Sequence, residues 1–222
     1  MSQALWTAVD DYIVESLVPS DDALDAALRA SDEAKLQAIQ VAPNQGKLLA
    51  ILAQSIGARS ILEIGTLGGY STIWLARALP PDGRLITLEI DPKHAAVAEK
   101  NIAYAELSEI VDIRLGRALD TLPKLAEEGH IFDFVFIDAD KASTTEYFQW
   151  ALKLTHPGSL IIVDNIVRKG GVADPNSTDS NVQGIQRFIA SAKDDTRVSL
   201  TGLQTVGSKG YDGFAIALVK GG

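Results

Sequence analysis

Residues Ser60-Ile61-Leu62-Glu63-Ile64 run directly into Gly65-Thr66-Leu67-Gly68-Gly69-Tyr70-Ser71. A short apolar run that meets a glycine cluster and then a helical segment, 70–79, reads as strand, tight turn and helix. The unit repeats along the chain. A strand is expected over 84–89, a helix with proline in its first turn over 92–105, a strand over 111–115 and a helix through Leu125. A buried strand over 132–138, a helix over 143–154 and, after a turn at Pro157-Gly158, a strand over 159–164 complete the series. Apolar strands alternating with helices specify a mostly parallel sheet covered on both faces. After a helix over 181–192, strands are expected over 198–201 and 214–219 with no helix between them, so this pair should form an antiparallel edge.

Upstream, residues 3–57 carry apolar positions at helical spacing, with Leu5, Val9 and Ile13 in one segment and Leu24, Ala27 and Leu28 in the next. Ser20, ahead of Asp21 and Asp22, is the expected start of the second helix, and Gly57 the stop of a third over 44–56. A single domain is expected over 1–222, with N-terminal helices over 1–57 and an α/β core over 58–222.

The 222 residues fit one generous domain at roughly 150 residues each. Twenty Lys and Arg against 29 Asp and Glu leave a formal charge of −9. That balance opposes binding to a nucleic-acid backbone or an anionic membrane, so neither partner is expected. The chain has no cysteine, which removes disulfides, thiolate metal sites and thiol nucleophiles. No basic, apolar leader and no run of about 18 apolar residues is visible, so a cytoplasmic protein is expected.

In open parallel sheets, ligands sit beyond the carboxyl ends of the strands. The first such end carries Glu63 ahead of the glycine turn. A carboxylate on an apolar strand needs a partner. That partner is either a cationic group on a ligand, or a salt bridge or backbone hydrogen bond that holds the turn. Leu67 stands where the dinucleotide pattern has its second glycine, and no Gly-Lys-Ser/Thr follows, which excludes the phosphate loop of nucleotide triphosphatases. The second end carries Glu89 and Asp91. Glu89 is placed to accept both hydroxyls of a ribose, and Asp91 to cap the helix that begins at Pro92. Asp138 ends the fourth strand, and Asp164 and Asn165 end the fifth. Brought together they offer three hard oxygen ligands for a divalent cation, unless they merely cap their loops. No histidine or cysteine joins them, which disfavours zinc. His94, His130 and His156 are expected to stand apart from the chemistry, and no serine–histidine pair suggests a hydrolytic triad. Trp74 and Trp150 are expected to pack rather than bind.

Three stretches in order, Glu63-Ile64-Gly65-Thr66-Leu67-Gly68-Gly69-Tyr70-Ser71-Thr72, Phe136-Ile137-Asp138-Ala139-Asp140-Lys141 and Val163-Asp164-Asn165, resemble the cation-dependent O-methyltransferases. Catechol and caffeoyl-CoA O-methyltransferases belong to that group. The likeness runs from about Gly46 to Val219 and includes Gly207-Ser208-Lys209-Gly210-Tyr211-Asp212-Gly213-Phe214. It implies a Rossmann-like, seven-stranded fold that uses S-adenosylmethionine (SAM). It also implies site roles. Val41, Glu63, Gly65, Ser71, Glu89, Ala118 and Asp138 would contact the methyl donor. Asp138, Asp164 and Asn165 would hold Mg²⁺, or Mn²⁺ or Ca²⁺. Lys141 would be the catalytic base. A divalent cation nearby disfavours the ammonium form, leaving a neutral amine to take a hydroxyl proton. The resemblance further implies a catechol-type acceptor, such as a hydroxycinnamate or flavonoid, and a homodimer.

Two features depart from catechol O-methyltransferase: Asp140 stands where that enzyme has an aromatic residue before its lysine, and the loop after Asn165, Ile166-Val167-Arg168-Lys169-Gly170-Gly171, is basic. Arg168 and Lys169 either attract an acidic acceptor or are simply solvated. The alternative reading of Lys141 is a surface ion pair with Asp140. The alternatives for the whole chain are a nicotinamide-dependent oxidoreductase, which Leu67 disfavours, and a non-catalytic protein that keeps the cofactor pocket.

Overall fold

The computed structural model describes residues 2–19 and 21–221. Seven strands form one sheet: β1 (Ser60–Ile64), β2 (Arg84–Glu89), β3 (Val111–Leu115), β4 (Phe132–Ile137), β5 (Thr155–Asp164), β6 (Val198–Gly207) and β7 (Gly210–Val219), in the order β3-β2-β1-β4-β5-β7-β6. The first five pair in parallel, and β7 runs antiparallel to both β5 and β6. Strand order reverses between β1 and β4, so the crevice between their carboxyl ends is where such a sheet receives a ligand.

Alternate residues of the inner strands enter two cores, as a two-residue repeat requires. Leu62, Ile64, Val135, Ile137, Ile161 and Val163 pack against α6 (Ala118–Glu127), α7 (Thr144–Lys153) and α8 (Ser180–Ala192). Ile61, Leu85, Phe134, Phe136 and Ile162 pack on the other face against α2 (Asp22–Glu33), α3 (Pro43–Ser55) and α4 (Tyr70–Ala76). Phe132, Phe134, Phe136, Phe148 and Phe188 are fully buried, so aromatic side chains anchor both faces.

Sequence expectation and structure part in two places on the sheet. Pro157 and Gly158 do not precede β5 but lie inside it. The pairing jumps from Phe132 opposite Thr155 to Phe134 opposite Leu160, so the turn residues form a bulge. The last two strands are also much longer than the apolar runs over 198–201 and 214–219 suggest. Gly207 pairs with Gly210 across the two-residue turn Ser208-Lys209. The glycines that read as a loop belong to a tight hairpin.

That hairpin is tied to the N-terminal helices. The buried Asp10 of α1 (Gln3–Leu17) accepts from the Ser208 amide at 2.7 Å and from Asn44 Nδ2 at 3.0 Å. Gln3 donates to the Gly207 carbonyl at 2.9 Å, and Lys209 to that of Ala38 at 3.0 Å. The observed cap of α2 is Asp21, which accepts from the amides of Ala23 and Leu24; Ser20, the expected start, lies outside the described residues. Among the described residues no helix is long and apolar enough to cross a membrane.

Candidate active site

The carboxyl ends of β1, β2, β4 and β5 open onto a cavity of about 950 Å³. That is at the large end for a small-molecule site. Eight of the ten residues singled out from sequence line its wall: Val41, Gly65, Ser71, Glu89, Ala118, Asp138, Lys141 and Asn165. Glu63 and Asp164 lie behind the wall.

Gly65 begins the turn after β1 with φ +103°, and a Cβ there would stand 2.1 Å from the Asp138 carbonyl oxygen. Only glycine lets the ends of β1 and β4 close to this distance. The Asp138 amide in turn donates to the Ile64 carbonyl at 2.9 Å, which fixes the crevice floor.

Glu63 is fully buried and does not line the cavity. Its carboxylate instead accepts from the hydroxyls of Ser71 and Thr87, both at 2.7 Å, and of Thr72. Glu63 stands behind Ser71, which lines the cavity, and side-chain hydroxyls rather than a salt bridge or a backbone hydrogen bond meet its need for partners within the protein. Burial pushes its carboxyl up to about 7 against those hydroxyls, and the Asp138 charge adds to the rise. Because the folded value exceeds the ordinary one, the proton stays on the native protein where the unfolded chain has lost it. Stability from this group is therefore full below about pH 4.5 and is lost as pH rises to about 7, at up to about 1.4 kcal/mol per pH unit. Glu63→Gln should therefore gain stability relative to the wild type between pH 5 and pH 8 in urea titrations. A difference independent of pH would refute the buried, protonatable Glu63.

Glu89 lies on the wall with 6% exposure. One oxygen accepts from the amides of Thr66 at 3.2 Å and Leu67 at 2.8 Å, and the other from those of Ile90 at 2.8 Å and Asp91 at 2.9 Å. Four backbone donors thus set its orientation toward the cavity. Asp91 caps α5 (Pro92–Tyr104) through the Lys93 amide at 2.7 Å. His94, expected to stand apart, is on the cavity wall with Nδ1 at 3.6 Å from Glu89. His130 and His156 pair with Glu128 and Asp133 outside the cavity.

At the other end, Lys141 is buried in a 3-10 turn, Lys141–Ser143, with Nζ at 2.6 Å from Asp138 Oδ1. The alternative ion pair with Asp140 does not form. Asp140 accepts instead from the Ser143 amide at 3.0 Å and from the Tyr147 hydroxyl. Asp140 and Tyr147 both line the cavity, a role the sequence reading missed although Asp140 stands within the quoted motif. The turn is held from behind by Gly184 of α8, where a Cβ would lie 2.0 Å from the Lys141 carbonyl oxygen. No local pattern announces such a glycine.

Asp164 is 5% exposed and does not face the cavity directly. Gln45 Nε2 and the Asn165 amide each donate to it at 2.8 Å. Burial raises its carboxyl first, the Asp138 charge raises it further, and the Lys141 ammonium opposes both. Among the described residues no three acidic, histidine or cysteine side chains form a metal cluster. A cation held here would meet two carboxylates and the side-chain amide of Asn165, which has φ +58° and lines the wall. Two crowded carboxylates and an amide, all oxygen donors, fit a hard divalent cation and not zinc.

This site sits on a chain that matches the O-methyltransferase family model over residues 16–217. A catechol O-methyltransferase of Niastella koreensis is 58% identical, over 99% of this chain and 100% of its own length. The solved O-methyltransferase from Bacillus cereus, in complex with SAH, superposes with a TM-score of 0.97 at 54% identity, covering 99% of this chain and 100% of that one. TomG from Streptomyces achromogenes, involved in tomaymycin synthesis and solved with SAM, gives 0.96 at 50% identity with both chains fully covered. The chain belongs to the O-methyltransferase family.

Proposed function

We propose that the protein transfers a methyl group from SAM to one hydroxyl of a vicinal diphenol, with a divalent cation bound by Asp138, Asp164 and Asn165 and with Lys141 as general base. The observation that carries this reading is that Lys141, with Nζ 2.6 Å from Asp138, and Asn165 line the cavity, with the buried Asp164 next to Asn165 just behind the wall. The relatives named above, one a catechol O-methyltransferase and one solved with SAM, support it.

In this reading Glu89 takes the ribose of SAM, and Ala118 lies beside the adenine. Val41, Gly65 and Ser71 flank the rest of the donor, with Glu63 holding Ser71 in place. Asp138, Asp164 and Asn165 would hold the cation, which would supply Lewis acidity to the acceptor hydroxyl. Lys141 takes the hydroxyl proton, and the wall orients that oxygen toward the donor methyl. Attack of an anion on a cation removes charge, so positioning by the wall supplies much of the rate. A homodimer is part of the proposal. Leu5, Val9, Tyr12 and Leu17 leave α1 with exposed apolar side chains that a second copy would cover.

The test is a set of acceptors incubated with SAM and Mg²⁺, their products weighed. Catechol, caffeate and 3,4-dihydroxybenzoate should each gain one methyl group, and resorcinol, whose hydroxyls are not adjacent, should gain none. Equal methylation of resorcinol would remove the vicinal requirement.

A further inference from the structure

We infer that Arg168 binds a carboxylate on the acceptor, so that the preferred substrates are vicinal diphenols that carry an acid group. This rests on the proposed function and names the acceptor class of the same site. Arg168 lines the cavity three residues beyond Asn165, at the end of β5. Its neighbour Lys169 is exposed and does not, so the two basic residues of the loop part ways.

The loop is held in an unusual conformation. Arg168 and Lys169 have φ +53° and +56°, a left-handed pair without glycine. Such residues cost of order 1–3 kcal/mol each and persist only where the surroundings enforce them. Asp212 enforces it here, with Oδ1 accepting from the amides of Val167 and Arg168 at 3.0 Å each. The backbone is thus fixed by a carboxylate that, among the described residues, makes no hydrogen bond to the guanidinium and only a long ion pair of 4.0 Å with it.

Among the described residues the Arg168 Nε–H is buried without a partner. The Asp212 Oδ2 stands 4.0 Å from its Nη1, beyond hydrogen-bond reach. Arg114 and Arg197, by contrast, each hold a carboxylate at 2.6 Å. Lys141, another cation on the wall, is already paired with Asp138. A planar guanidinium fork that lines the cavity, its side chain 28% exposed and its nearest carboxylate 4.0 Å away, is suited to a planar carboxylate. A neutral acceptor leaves it with only that long pair. A hydrogen bond to a charged group contributes about 1.5–3 kcal/mol, or roughly 10- to 100-fold in affinity.

The test compares kcat/KM for 3,4-dihydroxybenzoate and for its methyl ester at saturating SAM and Mg²⁺, in the wild type, Arg168→Met and Arg168→Lys. The wild type should prefer the acid. In Arg168→Met the acid-to-ester ratio should fall roughly 10- to 100-fold, chiefly through KM, and Arg168→Lys should recover part of it. A ratio within about threefold of wild type in Arg168→Met would overturn the inference, since a merely structural role lowers both substrates alike. Wild-type protein that methylates neither compound would overturn the proposed function and this inference with it.

Discussion

Lys141→Ala is expected to lower turnover by about 10²- to 10⁴-fold while SAM affinity stays within about threefold. The ammonium is 2.6 Å from Asp138 and lowers the carboxyl of Asp164, so balancing two acids is a use of the side chain separable from the proposed one of moving a proton. Lys141→Arg separates them. Arginine keeps the positive charge but does not give up its proton near neutral pH. If Lys141 is the base, both variants lose turnover. If it only balances charge, Lys141→Arg keeps most of it. Steady-state kinetics with saturating acceptor, together with calorimetric titration of SAM, distinguish the two.

Gly65→Ala is expected to destabilise the protein by more than about 3 kcal/mol and to abolish detectable SAM binding. Two independent penalties combine at this position. The backbone φ of +103° is closed to side chains with a Cβ, and that Cβ would meet the Asp138 carbonyl oxygen at 2.1 Å. The Cβ position is fixed by the backbone and its partner is a backbone oxygen, so no rotamer change relieves the contact. Relief requires the ends of β1 and β4 to separate, which moves Asp138 and the glycine turn together. Thermal melts and SAM titration should both respond. A variant that keeps its melting temperature and binds SAM would show that the crevice tolerates a wider floor.

The parallel part of the fold was legible because each inner strand is a dense apolar run closed by glycine, proline or acid. The edges of β1, β2 and β3 agree with the pattern of residues. The last hairpin was not legible, because four glycines from residue 202 to residue 213 suppress the strand signal and the ladder there comes only from β6 and β7 pairing with each other. The site divides along the same line. Residues at strand ends, such as Glu89, Asp138, Lys141 and Asn165, follow from the rule that ligands gather there. Gln45 on Asp164 and Gly184 behind Lys141 join elements far apart in sequence, and only packing brings them together behind the wall. His94 beside Glu89 and the Asp140–Tyr147 pair are local, but no sequence motif marks them. Glu63 shows a further limit: sequence identifies a carboxylate in need of partners, but Thr72 and Thr87 become those partners only once β1, β2 and α4 are assembled.

The most direct measurement is the mass of the product formed from 3,4-dihydroxybenzoate and SAM with Mg²⁺ or with EDTA. The account predicts a gain of one methyl group with Mg²⁺, its loss in EDTA, and its return when Mg²⁺ is restored in excess. Methylation that persists in EDTA would contradict the role given to Asp138, Asp164 and Asn165.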